Sequence, residues 1–230
     1  MFYESTDFNG AAEYFQTLGA ASWSEIDEVI NQVEIQLQPS GQKGKTGTPI
    51  FDPKATNAKL TINALKKGWK KVPVPDSLKE FGADWDAGKG SVLVEWQFSN
   101  YPFLWNNVIR SEAVYSSKQA LSGMLPIGAL IIVTKSGSFP ASNSTLYYEQ
   151  AKAQLNTVTS LGVFDIPIRL VGLTIPPGTT QVQVKWNTYA ERYGRDVLDT
   201  EVRTFDIRWN KPAQYGNRVA IFSTPSNGLF

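Results

Sequence analysis

The chain has no cysteine and no histidine among its 230 residues. Without cysteine there is no disulfide framework and no thiolate zinc site. Without histidine there is no Ser-His-Asp triad, no Cys-His pair and no imidazole-ligated metal. Any hydrolytic chemistry therefore falls to carboxylates, lysines, amides or a metal held by oxygen. Long apolar runs are missing as well. Spanning a bilayer takes about 18 or more consecutive apolar residues, and no stretch of this sequence supplies them. The opening MFYESTDFNG lacks the basic flank and apolar run of a signal peptide. The expectation is a soluble, cytoplasmic protein with no membrane partner. Excess charge is missing too: 22 basic and 21 acidic residues leave a net charge of +1. That total does not announce a nucleic-acid binder. Basic residues on one concave surface can, however, be cancelled in the sum by acids elsewhere. No internal repeat, heptad pattern or low-complexity tract is present.

What is there begins with apolar material, 42% of the chain with seven tryptophans. That suffices for one large domain or a core with a subdomain. The most informative stretch is DWDAGKGSVLVEWQFSNYPF, residues 84–103. Ala87-Gly88-Lys89-Gly90 reads as a tight turn, because glycine adopts backbone angles other residues avoid. From Ser91 to Phe98 the side chains alternate between two faces of a strand. Val92, Val94, Trp96 and Phe98 form a core face; Leu93, Glu95 and Gln97 take the other. Asp84 and Asp86 arrive from before the turn. Asp86 and Glu95, nine positions apart, could share a hard cation such as Mg²⁺, which is held by one or two carboxylates plus waters and a phosphate oxygen. Gln97 could orient the water or a phosphate oxygen. A hairpin with solvated acids is the alternative reading of the same pattern.

In chain order, residues 10–36 read as two helices, the second opened by a capping box at Ser22-Trp23-Ser24-Glu25. Residues 38–48 read as a Gly- and Lys-rich loop. Its Gly44-Lys45-Thr46 is not a P-loop, because Pro39 stands where the pattern needs glycine. Residues 56–69 read as a helix with Ala58, Ile62, Leu65 and Trp69 on its apolar face, ended by Val72-Pro73-Val74-Pro75. Its basic end reads either as a solvated face or as lysines, Lys70 or Lys71, reaching a phosphate. Leu104 to Leu121 is expected to be a helix. Ile127–Thr134 has no polar alternation and reads as a strand buried on both faces. Ala141-Ser142-Asn143-Ser144-Thr145 reads as the capped start of a helix to Val158. Val163–Leu173 reads as another strand, with Pro167 marking an edge or bulge. This alternation of strands and helices predicts an α/β core over 1–175. Beyond Pro176-Pro177-Gly178, the alternation in Gln181–Trp186, Thr200–Trp209 and Val219–Phe222 predicts an antiparallel β subdomain over 176–230.

The spacing Asp-x8-Glu-x-Gln resembles the PD-(D/E)xK nuclease motif, in its variant with Gln in the Lys position. The runs VEWQFSNYPFLWNNVIRSE, FPASNSTLYYEQAKAQLN and FDIPIRLVGL, together with IFDPKATN near residue 50, resemble the BglII-like type II restriction endonucleases over well more than half the chain. The resemblance implies a PD-(D/E)xK core, a mixed central sheet flanked by helices, and Mg²⁺-dependent hydrolysis of double-stranded DNA. It implies a palindromic site with a GATC core, AGATCT or RGATCY, cut to leave 5′ overhangs. It also implies a homodimer built around the helix after the catalytic strand, and a cognate DNA methyltransferase as functional partner. Asp86 and Glu95 are the implied metal ligands, with Gln97 beside them. Lys71 is placed where the family pattern has Asn, and joins the catalytic set on that basis. Ser99, Asn100, Asn143, Ser144, Tyr193 and Arg195 are the implied DNA readers, arginine being the commonest reader of guanine. For Asn143 and Ser144 the alternative is a helix cap. For Tyr193 and Arg195 it is an exposed hairpin tip. Arg110 is implied on the DNA side; an ion pair with Glu112 or Asp86 is its alternative. A DNA-binding protein that has lost cleavage, and a β-rich ligand-binding protein with incidental acids, are the competing functional readings.

Overall fold

The computed structural model describes residues 1–98, 100–142, 145–190, 197–212 and 218–225. The elements in chain order are β1 (Phe2–Phe8), α1 (Ala11–Gln16), α2 (Ala20–Asn31), β2 (Gln36–Pro39), β3 (Pro49–Phe51), α3 (Pro53–Lys66), β4 (Lys70–Pro73), β5 (Asp84–Lys89), β6 (Val92–Trp96), α4 (Pro102–Ser117), β7 (Ala129–Lys135), α5 (Tyr148–Ser160), β8 (Ile168–Thr174), β9 (Gln181–Tyr189), β10 (Val197–Pro212) and β11 (Arg218–Ser223). A single 3₁₀ segment, Asp76–Phe81, joins β4 to β5.

The uninterrupted apolar run of β7 buries all seven of its residues, as a central strand with both faces covered must. Around it lies a six-stranded sheet in the order β1-β8-β7-β6-β5-β4. The β6, β7 and β8 pairings are parallel, and the outer pairings with β1, β5 and β4 are antiparallel. Alternation along β6 splits its side chains between two cores. Val92, Val94, Trp96 and Phe98 pack with Leu60 and Ala64 of α3 and Ile26 and Ile30 of α2. Leu93 packs on the other face, with Leu104 and Val108 of α4 and Ala151 and Leu155 of α5.

The second sheet runs β11-β10-β9-β2-β3. It takes two strands from before residue 176, and β2 pairs with β9 in parallel, so it is mixed rather than purely antiparallel. Its Trp186, Phe205 and Phe222 share the α2–α3 core. A buried polar knot joins it to α3. Asp52 caps that helix, accepting from the Lys54 and Ala55 amides at 3.1 and 3.0 Å. The same carboxylate accepts from Asn187 at 3.0 Å and from the Tyr189 hydroxyl at 2.7 Å.

Several local expectations give way to tertiary context. Ala87 to Lys89 are strand, paired with Val94 to Val92, and only Gly90 and Ser91 turn. The N-cap of α2 is Gly19, not the Ser22 of a capping box. Glu25 instead binds Lys89 at 2.7 Å and the Trp69 indole at 2.8 Å. The buried face of α3 is Thr56, Leu60 and Ala64, while Ile62 and Leu65 stay exposed. The Val72-Pro73 segment expected only to end that helix forms the edge strand β4. The helix α5 starts at Tyr148, so Ala141 to Thr145 are not its first turn. Pro167 precedes β8, which is interior, paired with β7 and β1.

Candidate active site

Register decides what the two acidic positions can do. Ala87 lies across from Val94 on the antiparallel β5–β6 pair, and just beyond these paired residues the Asp86 and Glu95 side chains hydrogen-bond each other. The two carboxyls therefore converge. Asp86 also ends the ladder by accepting from the Trp96 backbone N–H at 2.8 Å. Glu95 and Gln97 are buried, at 4% and 5% exposure, rather than projecting freely from the sheet. They lie at the floor of a cleft of about 520 Å³ that Asn57, Lys71, Asp84 and Asn106 also line.

Arg110 is the feature that spacing could not foretell. Its guanidinium, 3% exposed, forms the buried ion pair of this cleft with Glu95. It donates further to the Asp84 carbonyl at 2.8 Å and the Phe81 carbonyl at 3.3 Å, and lies 5.1 Å over the Trp85 ring. Glycine at 82 makes room for it. That residue has φ +132°, and a Cβ there would stand 2.2 Å from the Arg110 Nη1. Its partner is thus neither Glu112 nor Asp86. Glu112 accepts instead from the Asp165 and Ile166 amides at 3.0 and 2.8 Å.

The electrostatics follow from burial. Desolvation raises the Glu95 carboxyl above the ordinary glutamate range; Arg110 pulls it down, and neighbouring Asp86 pushes it further up. Desolvation also raises Asp86, against the Trp96 amide and its hydrogen bond with Glu95. Two buried carboxyls this close resist joint ionisation unless a cation stands between them. Their oxygens are the donors a hard divalent ion prefers, so the residues present fit such an ion. No cluster of three or more acidic side chains suited to a metal occurs among the described residues, but Mg²⁺ commonly uses only one or two.

The remaining predicted site residues fall in different places. The Gln97 side-chain oxygen accepts from Asn107 at 2.9 Å, and its amide donates to the Asn100 carbonyl at 3.3 Å. Lys71 lines the cleft and pairs with Asp84 at 2.6 Å, its side chain 66% exposed. Asn100 is exposed, while its carbonyl also receives the Phe103 amide at 3.2 Å. Ser99, Asn143, Ser144, Tyr193 and Arg195 lie outside the described residues.

Sequence reasoning missed Lys135. It is 1% exposed and donates to the Phe98 carbonyl at 3.2 Å and the Leu146 carbonyl at 3.1 Å, and also to Thr145. It therefore ties the segment just after β6 to the segment that precedes α5. Its only signal in the sequence is a lysine at the end of an apolar run, which reads equally well as a solvated strand end.

A mixed sheet that brings Asp86 and Glu95 together from two neighbouring strands, with helices on both faces, is the arrangement expected of a nuclease of the PD-(D/E)xK class. Comparison with known proteins narrows the class. The family model described as restriction endonuclease BglII/BglIII matches residues 3–173. The type II restriction enzyme BglII of Bacillus subtilis is 43% identical over 201 residues, covering 86% of this chain and 87% of that protein. The crystal structure of BglII complexed with a DNA 16-mer superposes with a TM-score of 0.89 at 38% identity, covering 97% of this chain and 100% of that one. Free BglII superposes with a TM-score of 0.69 at 35% identity, over 96% and 100%. The chain belongs to the BglII family of type II restriction endonucleases. By family it is a type II site-specific deoxyribonuclease.

Proposed function

We propose that the chain is a Mg²⁺-dependent homodimer that hydrolyses both strands of DNA at a palindrome with a GATC core, AGATCT or RGATCY, leaving four-base 5′ overhangs. The observation that carries this reading is the convergence of Asp86 and Glu95 across β5 and β6 at the floor of an open cleft. The likeness to BglII complexed with a DNA 16-mer, at a TM-score of 0.89, supports DNA as the substrate.

Asp86 and Glu95 would hold the divalent ion, which when bound neutralises charge on the phosphate and makes the attacking water more acidic. The chain's own residues do the rest. Arg110 fixes the Glu95 carboxyl and compensates its charge in a desolvated place. Gln97 is held at both ends, by Asn107 and by the Asn100 carbonyl, so its orientation is set before substrate arrives. That bond also links the catalytic strand to Asn100, a proposed reader of base edges. Lys71, paired with Asp84, places a cation at the cleft mouth. In this reading Asn100, Ser99, Asn143 and Ser144 read one part of the site, and Tyr193 and Arg195 another. A cognate methyltransferase would protect the host's own copies of the sequence.

The test is digestion of plasmid DNA by the purified protein with Mg²⁺, followed by sequencing of the fragment ends. Discrete fragments with 5′-GATC extensions are expected. Blunt or 3′-extended ends, or cutting at sites without GATC, would overturn the reading.

A further inference from the structure

The cleft has an electrostatic problem that the residues assigned so far do not solve. Asp84, Asp86 and Glu95 face a polyanionic substrate, and the nitrogen donors around them are largely spent. Arg110 is taken up by Glu95 and two carbonyls. Lys71 is paired with Asp84, and Asn107 with Gln97.

Asn57 is different. It lies on α3, half-buried, on the rim shared by the carboxylate cleft and a neighbouring groove lined by Lys54, Thr61, Trp96 and Phe98. One turn further along the helix, the Thr61 hydroxyl donates to its side-chain oxygen at 3.2 Å. An amide whose oxygen is occupied presents its two N–H groups outward. Those N–H groups meet no acceptor among the described residues. The side chain is thus a pre-oriented donor, beside the metal ligands, at the point where a strand leaving the cleft would enter the groove. Asn106, across the cleft on α4, has no such partner among the described residues to orient it.

Resting on the nuclease reading above, we infer that Asn57 is a DNA-backbone contact: its side-chain amide donates to a non-bridging oxygen of the phosphate next to the scissile one. The contact holds the strand in register with Asp86 and Glu95. A neutral amide suits this place, because it attracts a phosphate without competing with the ion for the carboxylates. Thr61 is the positioning residue behind it.

The test is a side-chain and phosphate double substitution on the full-length protein. Asn57→Ala should slow single-turnover cleavage of a duplex carrying the cognate site about tenfold, the worth of one hydrogen bond to a charged group. Asn57→Asp keeps shape and the Thr61 bond but replaces donors by an anion, and should lose about a hundredfold or more. Thr61→Val should fall between wild type and Asn57→Ala. On a duplex with an uncharged methylphosphonate at the adjacent phosphate, wild type and Asn57→Ala should become equal. Variants within twofold of wild type on ordinary DNA would overturn the inference, and so would a penalty that persists unchanged on the methylphosphonate. Equilibrium binding of both duplexes, with Ca²⁺ in place of Mg²⁺, repeats the comparison without cleavage. If wild type binds but does not cut, the nuclease reading fails while the Asn57 contact is still decided by binding. If it binds neither duplex, both fail.

Discussion

At the scale of single residues, the cleft joins two kinds of side chain with different tasks. Asp86 and Glu95 are proposed to act on the substrate through an ion, so their loss should be felt in rate. Asp86→Ala or Glu95→Ala should cut the cleavage rate by about a thousandfold or more, the several kcal/mol a metal site supplies. Specific binding should persist, because phosphate and base contacts elsewhere carry it; a gel-shift titration beside a timed digest separates the two. Either variant cleaving near the wild-type rate would remove that residue from the mechanism. Arg110 serves structure first. Removing one partner of a buried pair strands the other charge, at a cost of about 3–5 kcal/mol. Arg110→Met should show that loss in urea denaturation, and Glu95→Gln in the same background should recover part of it. A loss under about 1 kcal/mol would mean the pair does not hold the site together. Asp86, Glu95 and Gln97 were legible because strand alternation is local. The Arg110 contact with Glu95 was not, because it joins positions 15 apart in sequence and depends on how α4 crosses the sheet.

At the scale of elements, β7 ends on Lys135, which meets no carboxylate among the described residues. Burial pulls the Lys135 ammonium from the ordinary 10.5 down to about 7. A lysine whose folded pKa lies below its unfolded one takes up a proton on unfolding between those two values. It therefore destabilises the fold fully below about pH 7, and the burden fades as the pH rises towards 10.5. Lys135→Met keeps the length and removes the charge. The wild type should gain stability relative to this variant when urea midpoints are followed from pH 6.5 to 9.5. A difference that stays flat with pH would show that the ammonium finds compensation the described contacts do not explain. The same element scale shows where periodicity misleads. Ala58, Ile62 and Leu65 form a helical apolar face in sequence, yet Ile62 is 46% and Leu65 53% exposed. The buried face of α3 is instead Thr56, Leu60 and Ala64.

At the scale of the whole molecule, two sheets share one core, and the second is assembled from both ends of the chain. The Asp52, Asn187 and Tyr189 knot fixes β9 to the start of α3. A palindromic site has a two-fold axis and calls for a reader with the same symmetry. One cleft per chain cuts one strand, so a double-strand break in one encounter needs two chains. The exposed Tyr101 and Phe103 at the start of α4 lie directly after the catalytic strand, where contact with a symmetry mate would set the spacing between cuts. Sedimentation should show a dimer, free and on DNA. A monomer under both conditions would contradict the assembly while leaving the cleft chemistry open.

The sequence by itself determined the strand β6, its buried neighbour β7, the absence of histidine and thiol chemistry, and the carboxylate pair with its family resemblance. Each of these rests on side-chain type or on the two-residue period of a strand, which a short window displays. Only the tertiary structure decided that Arg110 answers Glu95, that Lys135 brackets Phe98 and Leu146, that β2 and β3 join the C-terminal strands, and that α3 turns its Asn57 towards the cleft. These depend on contacts closed across long loops. Their geometry is selected by the packing of both cores at once, and no local periodicity encodes it.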